Sequence, residues 1–467
     1  MRMIRIQQEL CSASATDSPS RRNRRLLAFI FIVLCFTYLV SYYVLVANNN
    51  RKGSERIQQL LMAVMEDNLS FLTREPFEGK FENGTVLGEP HNVVMPSIVE
   101  WYQLVEQYEE QDKLLAHDPS AAVSAAPFKR ILFWNDFFGI PDFRLGVGRD
   151  AFRKWDCPVW QCETSTNRTD VHDYDAVIFH IFGWNSSDLP QRRSPQQRYV
   201  FWNLESAEWR EYWDSSSLGK ILFNWTLTYR WDSDMVMPYG YVRPTGKVPL
   251  HPSEDQLKQL MSVQKVNYAA GKTKMASWMV SNCGGRSSRQ ELVSLLKKYI
   301  QIDVYGECGN FTCPKSEDEN NSSEECRDMT GQNYKFYMAL ENSLCRDYIT
   351  EKFFGMLQRP VIPVVFGLHD HYDQIAPSHS FINAAKFENM TQLANYLILL
   401  DRNDTLYNEY FWWKPHFESR YKQKDVNIGM CHLCASLHNK KLPAKVYPNM
   451  NQWWEQQSTC INSPPIS

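Results

Sequence analysis

Four polar side chains able to hold a phosphorylated sugar fall close together in YKFYMALENSLCRDYITEKFFGMLQRPVIPVVFG, from Tyr334 to Gly367: Glu341, Asn342, Glu351 and Lys352. Two carboxylates, an amide and an ammonium group suit a ligand that combines sugar hydroxyls with phosphate charge. Upstream, Gly284 and Gly285 precede RSSRQELVSLLKKYI, whose first turns carry Arg286 and Arg289. Glycines let the backbone come close, a helix N-terminus is electropositive, and an arginine fork matches phosphate oxygens. A further carboxylate, Glu205, stands in RYVFWNLESAEW among Trp202, Trp209 and Trp213. In a partly desolvated sugar cleft its basicity would rise, making it a candidate general base, although a loop glutamate can also simply cap a helix.

These residues need elements to position them. KFYMAL (335–340) and VIPVVFG (361–367) read as strands, and an amphipathic helix starting near Thr350 lies between them, which is one βαβ unit of a parallel sheet. Thr350 is its expected N-cap. Glu351 and Lys352 then sit in the first helical turn, beside the strand end that carries Glu341 and Asn342, where parallel sheets bind ligands. KRILFWN (129–135), DAVIFHIFGW (175–184) and RYVFWNLESAEW (198–209) supply short apolar runs for an earlier sheet, with Glu205 just past one strand end. MASWMVSN (275–282) and IDVYG (302–306) read as strands of the later sheet, and SFINAAKF as its last. Two helices come next in TQLANYLILLDRNDTLYNEYFWW, PTGKVPLHPSEDQ is the natural linker between the halves, and 307–330 reads as a disulfide-tied, solvated loop.

FNWTLTYRWDSDMVMPYG (223–240) contains Asp232-Ser233-Asp234. Asp-x-Asp is how metal-dependent transferases hold a divalent ion against a nucleotide diphosphate, and it also arises by chance.

The stretch from Phe336 to Gly367 closely resembles the signature of the α1,3-fucosyltransferases, glycosyltransferase family ten, whose members carry F-x-x-ENS-x-x-x-DY-[IV]-TEK followed by a P-V-V-x-G strand. VFWNLES resembles the family's W-x-N-x-ES segment, and 223–240 its F-N-x-T-x-x-YR-x-DSD-x-x-x-PYG. The resemblance extends from Ile131 to Trp454. It implies an α/β GT-B fold, two Rossmann-like domains facing across a cleft, at 129–265 for the acceptor and 266–467 for GDP-fucose. It implies Glu205 as the base and Arg289, seven residues after Asn282, on the diphosphate. Tyr305 would stack on guanine, the alternative being a tyrosine packed in the core. Glu341, Asn342, Glu351 and Lys352 would hold donor hydroxyls and phosphate, and Tyr229, Arg230, Ser233 and Tyr239 would lie along the cleft. No divalent metal is expected to be essential. FHIFGW (179–184) lacks the His-His-Arg sequence of many Lewis-type members, and the tail CHLCASLHNKKLPAKVYPNMNQWW is more similar to invertebrate enzymes that fucosylate the innermost N-acetylglucosamine of N-glycans.

The chain has 467 residues and a net charge of -3, enough for two cores and no sign of a nucleic-acid partner. Residues 1–25 end in an arginine cluster before LLAFIFIVLCFTYLVSYYVLVA at 26–47, long enough to span a bilayer and without the cleavage site of a signal peptide. The arginines set the N-terminus in the cytosol and the body in the lumen, a single-pass type II arrangement, and the resemblance implies the Golgi membrane. Residues 48–128 read as a stem with two amphipathic segments and a possible role in homodimerisation. N-glycosylation sequons at ten asparagines, among them Asn167, Asn185, Asn224 and Asn389, agree with a lumenal body. So does the even set of ten cysteines after the anchor. Cys431 and Cys434 with Cys157 and Cys162 could form a zinc site, but an oxidising lumen favours disulfides; the resemblance implies that the C-terminal pair bridges back to the N-terminal domain. An enzyme using GDP-fucose on an N-glycan acceptor is therefore expected. A Lewis-type enzyme acting on N-acetyllactosamine and an inactive lumenal glycan-binding protein are the alternatives.

Overall fold

The computed structural model describes residues 127–209, 215–313, 319–367, 371–421 and 427–461. The expected anchor, nearly all of the stem, and Trp213 lie outside them. Among the described residues no helix is long and apolar enough to cross a membrane.

The first sheet is built from β1 (Lys129–Phe133), β2 (Cys162–Ser165), β3 (Ala176–His180), β4 (Arg198–Asn203), β5 (Trp225–Thr228) and β6 (Met235–Val236), with α1 (Asp150–Lys154) between β1 and β2. The strands are parallel, in the order β2-β1-β3-β4-β5-β6. Their apolar runs are continuous because both faces are covered. Ile131, Phe133, Ile178, Val200 and Trp202 enter one core, while Leu132, Val177, Phe179, Tyr199 and Phe201 enter the other.

The second half runs through β7 (Tyr241–Pro244), α2 (Glu254–Ser262), β8 (Lys274–Met279), α3 (Arg289–Leu296), β9 (Ile302–Tyr305), α4 (Glu319–Asn333), β10 (Tyr334–Leu340) and α5 (Glu351–Leu357). It continues with β11 (Ile362–Phe366), α6 (His371–Ile375), β12 (Ile382–Asn383), α7 (Met390–Arg402), α8 (Asp404–Glu409), β13 (Phe417–Arg420) and α9 (Ile428–His438). Its five-stranded sheet is again parallel, in the order β12-β11-β10-β8-β9. Every residue of β10 is buried, so this strand forms the centre of the second core. The linker carries structure of its own: Ser253 caps α2 in a capping box with Gln256, and β7 pairs antiparallel with β13.

One expectation is corrected. The run 307–330 is not all loop, because α4 begins at Glu319 and leads directly into β10. The cysteine-rich tail follows the second half in sequence and packs on the first sheet, in keeping with the bridge that the resemblance implies. Cys157–Cys431 and Cys162–Cys434 disulfides fasten α9 there, Met430 and Leu433 enter one core, and Tyr447, Trp453 and Trp454 enter the other. The tail then returns to the second half, where Cys460 bonds Cys345 and the Arg346 N–H donates to the Ser458 carbonyl at 2.9 Å.

Candidate active site

Both sheets share one topological property. In each, the first strand in sequence lies between the second and the third: β1 between β2 and β3, and β8 between β9 and β10. Connections leaving the first and third strands therefore diverge, and a crevice opens at the strands' carboxyl ends. In the second sheet this crevice is a cavity of about 710 Å³. Ser281, Asn282 and Arg289 line it from the loop after β8, Tyr305 and Gly306 from the end of β9, Asn342, Glu351 and Lys352 from the segment after β10, and Arg327 from α4. Disulfides Cys283–Cys308 and Cys313–Cys326 tie its rim.

Arg289, only 2% exposed, opens α3. One terminal nitrogen donates to the Leu340 carbonyl at 3.1 Å and the other to that of Asn282 at 2.7 Å, which fixes the guanidinium across the two strand ends. Its Nε is buried with no hydrogen-bond partner, and so is the side-chain oxygen of Asn342. Both residues line the cavity, so each brings hydrogen-bonding capacity to its wall. Burial lowers the Arg289 pKa, opposed by the Glu341 carboxylate.

Lys352 is held at the N-terminus of α5. The Thr350 hydroxyl accepts the Lys352 N–H at 3.4 Å as the helix cap and its Nζ at 2.9 Å. The ammonium pairs with Glu341 and Glu351, each at 3.2 Å, and although burial opposes it these two carboxylates raise its pKa. Glu351 lines the cavity; burial pushes its pKa up, but Lys352 and Arg327 overcome this and leave it lowered.

Glu341 departs from its expected role. It is fully buried, absent from the cavity lining, and accepts hydrogen bonds from the Thr350 N–H and hydroxyl at 2.9 Å while it pairs with Lys352. It braces the cap and the lysine from behind; burial raises its pKa and Lys352 restrains the rise. Tyr305 forms part of the cavity wall, with its ring 5.3 Å from that of Phe311 and its hydroxyl 2.8 Å from that of Tyr334.

The segment expected along the cleft divides. Tyr239 reaches the site, where its hydroxyl donates to the Leu204 carbonyl beside Glu205. Arg230 does not. It is fully buried, paired with Asp232, and its remaining donors go to the Trp453 carbonyl at 2.5 Å and the Ser458 hydroxyl at 3.2 Å, so it clamps the tail to the first sheet. Ser233 is spent on Thr228, oxygen to oxygen at 2.6 Å. Asp234 accepts from Lys445, Tyr447 and the Thr226 N–H. Tyr229 is buried against Tyr348 and Trp454. The Asp-Ser-Asp triplet is thus an internal brace, because every one of its side chains is already committed.

Glu205 lies two residues past β4, at the carboxyl edge of the first sheet. Its N–H donates to Asn203, and the Tyr348 hydroxyl, from the second half, stands 3.5 Å from its carboxylate. Burial raises its pKa; Lys352 pulls it down, while Glu351 and Glu341 push it further up. Next to it, Arg286 crosses from the second half to the Glu208 carbonyl at 2.5 Å and lies over the Trp209 ring. The structure thus places the Glu205 loop against the loops that carry Arg289 and Lys352. Trp202 instead faces the first core, stacked on Phe143 at 4.4 Å.

Two residues escaped the sequence reading. Arg327 lines the cavity from a helix that looked like solvated loop. His180 ends β3 at the first sheet's own crevice, buried among Phe137, Phe138 and Phe143, its Nδ1 fixed by the Asp136 carbonyl at 2.9 Å and its pKa lowered by burial to about 4. No pattern in FHIFGW marks that histidine as buried.

Comparison with known proteins places this arrangement. The description "Glycosyltransferase family 10 (fucosyltransferase) C-term" matches residues 269–453, and "Fucosyltransferase, N-terminal" matches 127–240. Glycoprotein 3-alpha-L-fucosyltransferase A of Drosophila melanogaster is 35% identical over 349 residues, 74% of this chain but only 64% of that relative's length. Alpha-(1,3)-fucosyltransferase C of the same fly is 35% identical over 350 residues, 70% of this chain and 77% of its own. A crystal structure of an α1,3-fucosyltransferase with GDP-fucose covers 68% of this chain and 93% of that one, at a TM-score of 0.43 and 16% identity, too slight a likeness to carry positions across.

Proposed function

Since the chain belongs to glycosyltransferase family 10, the fucosyltransferases, we propose that it transfers L-fucose with inversion from GDP-β-L-fucose to the 3-hydroxyl of N-acetylglucosamine, the innermost one of N-glycans. The observation that carries this reading is the cavity at the carboxyl edge of the second sheet, lined by Arg289, Asn342, Glu351 and Lys352, beside a carboxylate whose basicity burial has raised. GDP-fucose occupies the cavity. Glu205 takes the proton of the acceptor hydroxyl, whose oxygen attacks the anomeric carbon from the face opposite GDP. As that bond forms, the bond to the β-phosphate oxygen breaks and its electron pair leaves with GDP. One displacement needs no covalent enzyme intermediate, so a single carboxylate suffices. Lys352, Arg289 and the N-terminus of α5 stabilise the charge that develops on the diphosphate, and Glu351 and Asn342 accept or donate to donor hydroxyls.

The acceptor assignment draws support from the relative named a glycoprotein 3-alpha-L-fucosyltransferase. A type II anchor at 26–47, with the body in the Golgi lumen and the stem as a route to a homodimer, completes the proposal. The test is transfer from GDP-fucose in the presence of EDTA, with a core N-glycan and N-acetyllactosamine offered together. Label on the core glycan is the expected result. Label on lactosamine alone would make this a Lewis-type enzyme, loss of transfer in EDTA would reinstate a metal, and label on neither would favour a binding protein.

A further inference from the structure

Two of the cavity's basic side chains, Arg289 and Lys352, stand close to carboxylates. Lys352 is already paired with both Glu341 and Glu351. With Arg289 added, the two cations and two carboxylates nearest the phosphate position cancel in number. A doubly charged diphosphate entering such a site gains little net attraction to offset its lost hydration.

Arg327 is a third basic side chain on the cavity wall. It lies on α4 immediately after Cys326, whose disulfide to Cys313 ties that helix to the opposite rim, and its side chain lines the same cavity as Arg289, Glu351 and Lys352. Its guanidinium pairs with Glu324 at 2.5 Å, one turn earlier. That carboxylate is divided between Arg327, Arg359 at 2.9 Å and the Tyr421 hydroxyl, and Arg359 also pairs with Asp328. Arg327 is the member of this group that faces the cavity. Burial resists ionisation of Glu324, but Tyr421 and Arg359 hold its pKa down at about 2, so the support stays charged.

The position of Arg327 is also built for. Its stem crosses α5 at Gly355, where an added Cβ would come within 3.3 Å of the Arg327 Cδ and Nε and of the Tyr421 ring. A glycine inside a helix costs stability relative to alanine, and here it makes the notch that seats the arginine. We propose that Arg327 is a third cationic contact for the nucleoside diphosphate of the donor, held in place by Glu324 and Gly355. The inference rests on the donor reading of the cavity and adds a residue from an element the signature sequence does not include.

The test uses the full-length chain with Arg327→Met, Arg327→Lys and Gly355→Ala. For Arg327→Met, loss of a charge-assisted contact should raise the KM for GDP-fucose and the Kd for GDP about tenfold. The effect on kcat should be smaller, and the affinity for guanosine, which lacks phosphate, should not change. Arg327→Lys should recover part of the loss. Gly355→Ala, which retains every charge and favours the helix, should raise the GDP Kd by displacing the guanidinium, and it serves where Arg327→Met fails to fold. Unchanged GDP affinity in both Arg327→Met and Gly355→Ala, or an equal loss for guanosine, would overturn the assignment. A wild-type chain that binds no GDP would overturn the donor reading and this inference with it.

Discussion

Two segments of this chain look alike as sequence and behave differently as structure. Arg230 to Asp234 and Glu341 to Lys352 each pack acids and bases into a few residues after a buried strand. In the first, Arg230 closes on Asp232, the Trp453 carbonyl and Ser458, and Asp234 closes on Lys445 and Tyr447, so its groups bind the C-terminal tail to the first sheet. The second pairs Lys352 with two carboxylates, yet Asn342, Glu351 and Lys352 line an open cavity together with Arg289. Charge density alone does not make a site. What separates the two is a crevice at the sheet's carboxyl edge, which the second segment lines and the first does not.

The largest way to sharpen the contrast is Glu205→Gln, which removes the proposed base from the edge of the first sheet. It should lower kcat by ~10²–10⁴-fold, as loss of general base catalysis does, while GDP affinity measured by calorimetry stays as it was. Near-normal turnover would remove Glu205 from its role. Next, Arg230→Leu should cost about 3–5 kcal/mol of stability in chemical denaturation, because it leaves a buried carboxylate without its main partner. The folded fraction should still bind GDP normally, and a selective loss of GDP binding would return Arg230 to the cleft.

A smaller change is expected from Glu341→Gln. It keeps the size of the brace behind Lys352 but weakens its pull on the ammonium, so the KM for GDP-fucose should rise roughly fivefold, the worth of about 1 kcal/mol. An unchanged KM would mean that Lys352 needs no support. The smallest effect is in the pH profile. Burial raises the Glu205 pKa, so the carboxyl protonates earlier as pH falls, and the acid limb of kcat/KM should lie above the ordinary glutamate value of about 4.3. A limb at or below that value would mean a solvated carboxylate.

Much of the second half was legible because its strands are short, apolar and punctuated by glycine, and because Thr350 is a plain N-cap that the structure retains. Side-chain direction was not legible. Glu341 and Asn342 are adjacent in sequence, yet one turns inward to Thr350 and the other lines the cavity. α4 was missed because an Asn-, Ser- and Glu-rich run has no apolar period, and its position depends on the Cys313–Cys326 disulfide and on β10, into which it leads. The return of the tail to the first sheet was legible only through the family resemblance, because its burial there is decided by partners far away in the chain, as when Cys431 meets Cys157. Asn224 illustrates the limit for sequons, since its amide is buried between the Tyr199 N–H and the Lys445 carbonyl and is closed to a glycan in the folded protein.

The most direct test of the division is the GDP affinity of Lys352→Ala and Asp234→Asn, measured side by side by titration calorimetry. Loss of a charge-assisted phosphate contact should weaken GDP binding about tenfold or more in Lys352→Ala, while Asp234→Asn, however much stability it costs, should bind GDP as the wild type does. The reverse pattern, with GDP lost in Asp234→Asn and kept in Lys352→Ala, would place the donor on the first segment and contradict the account.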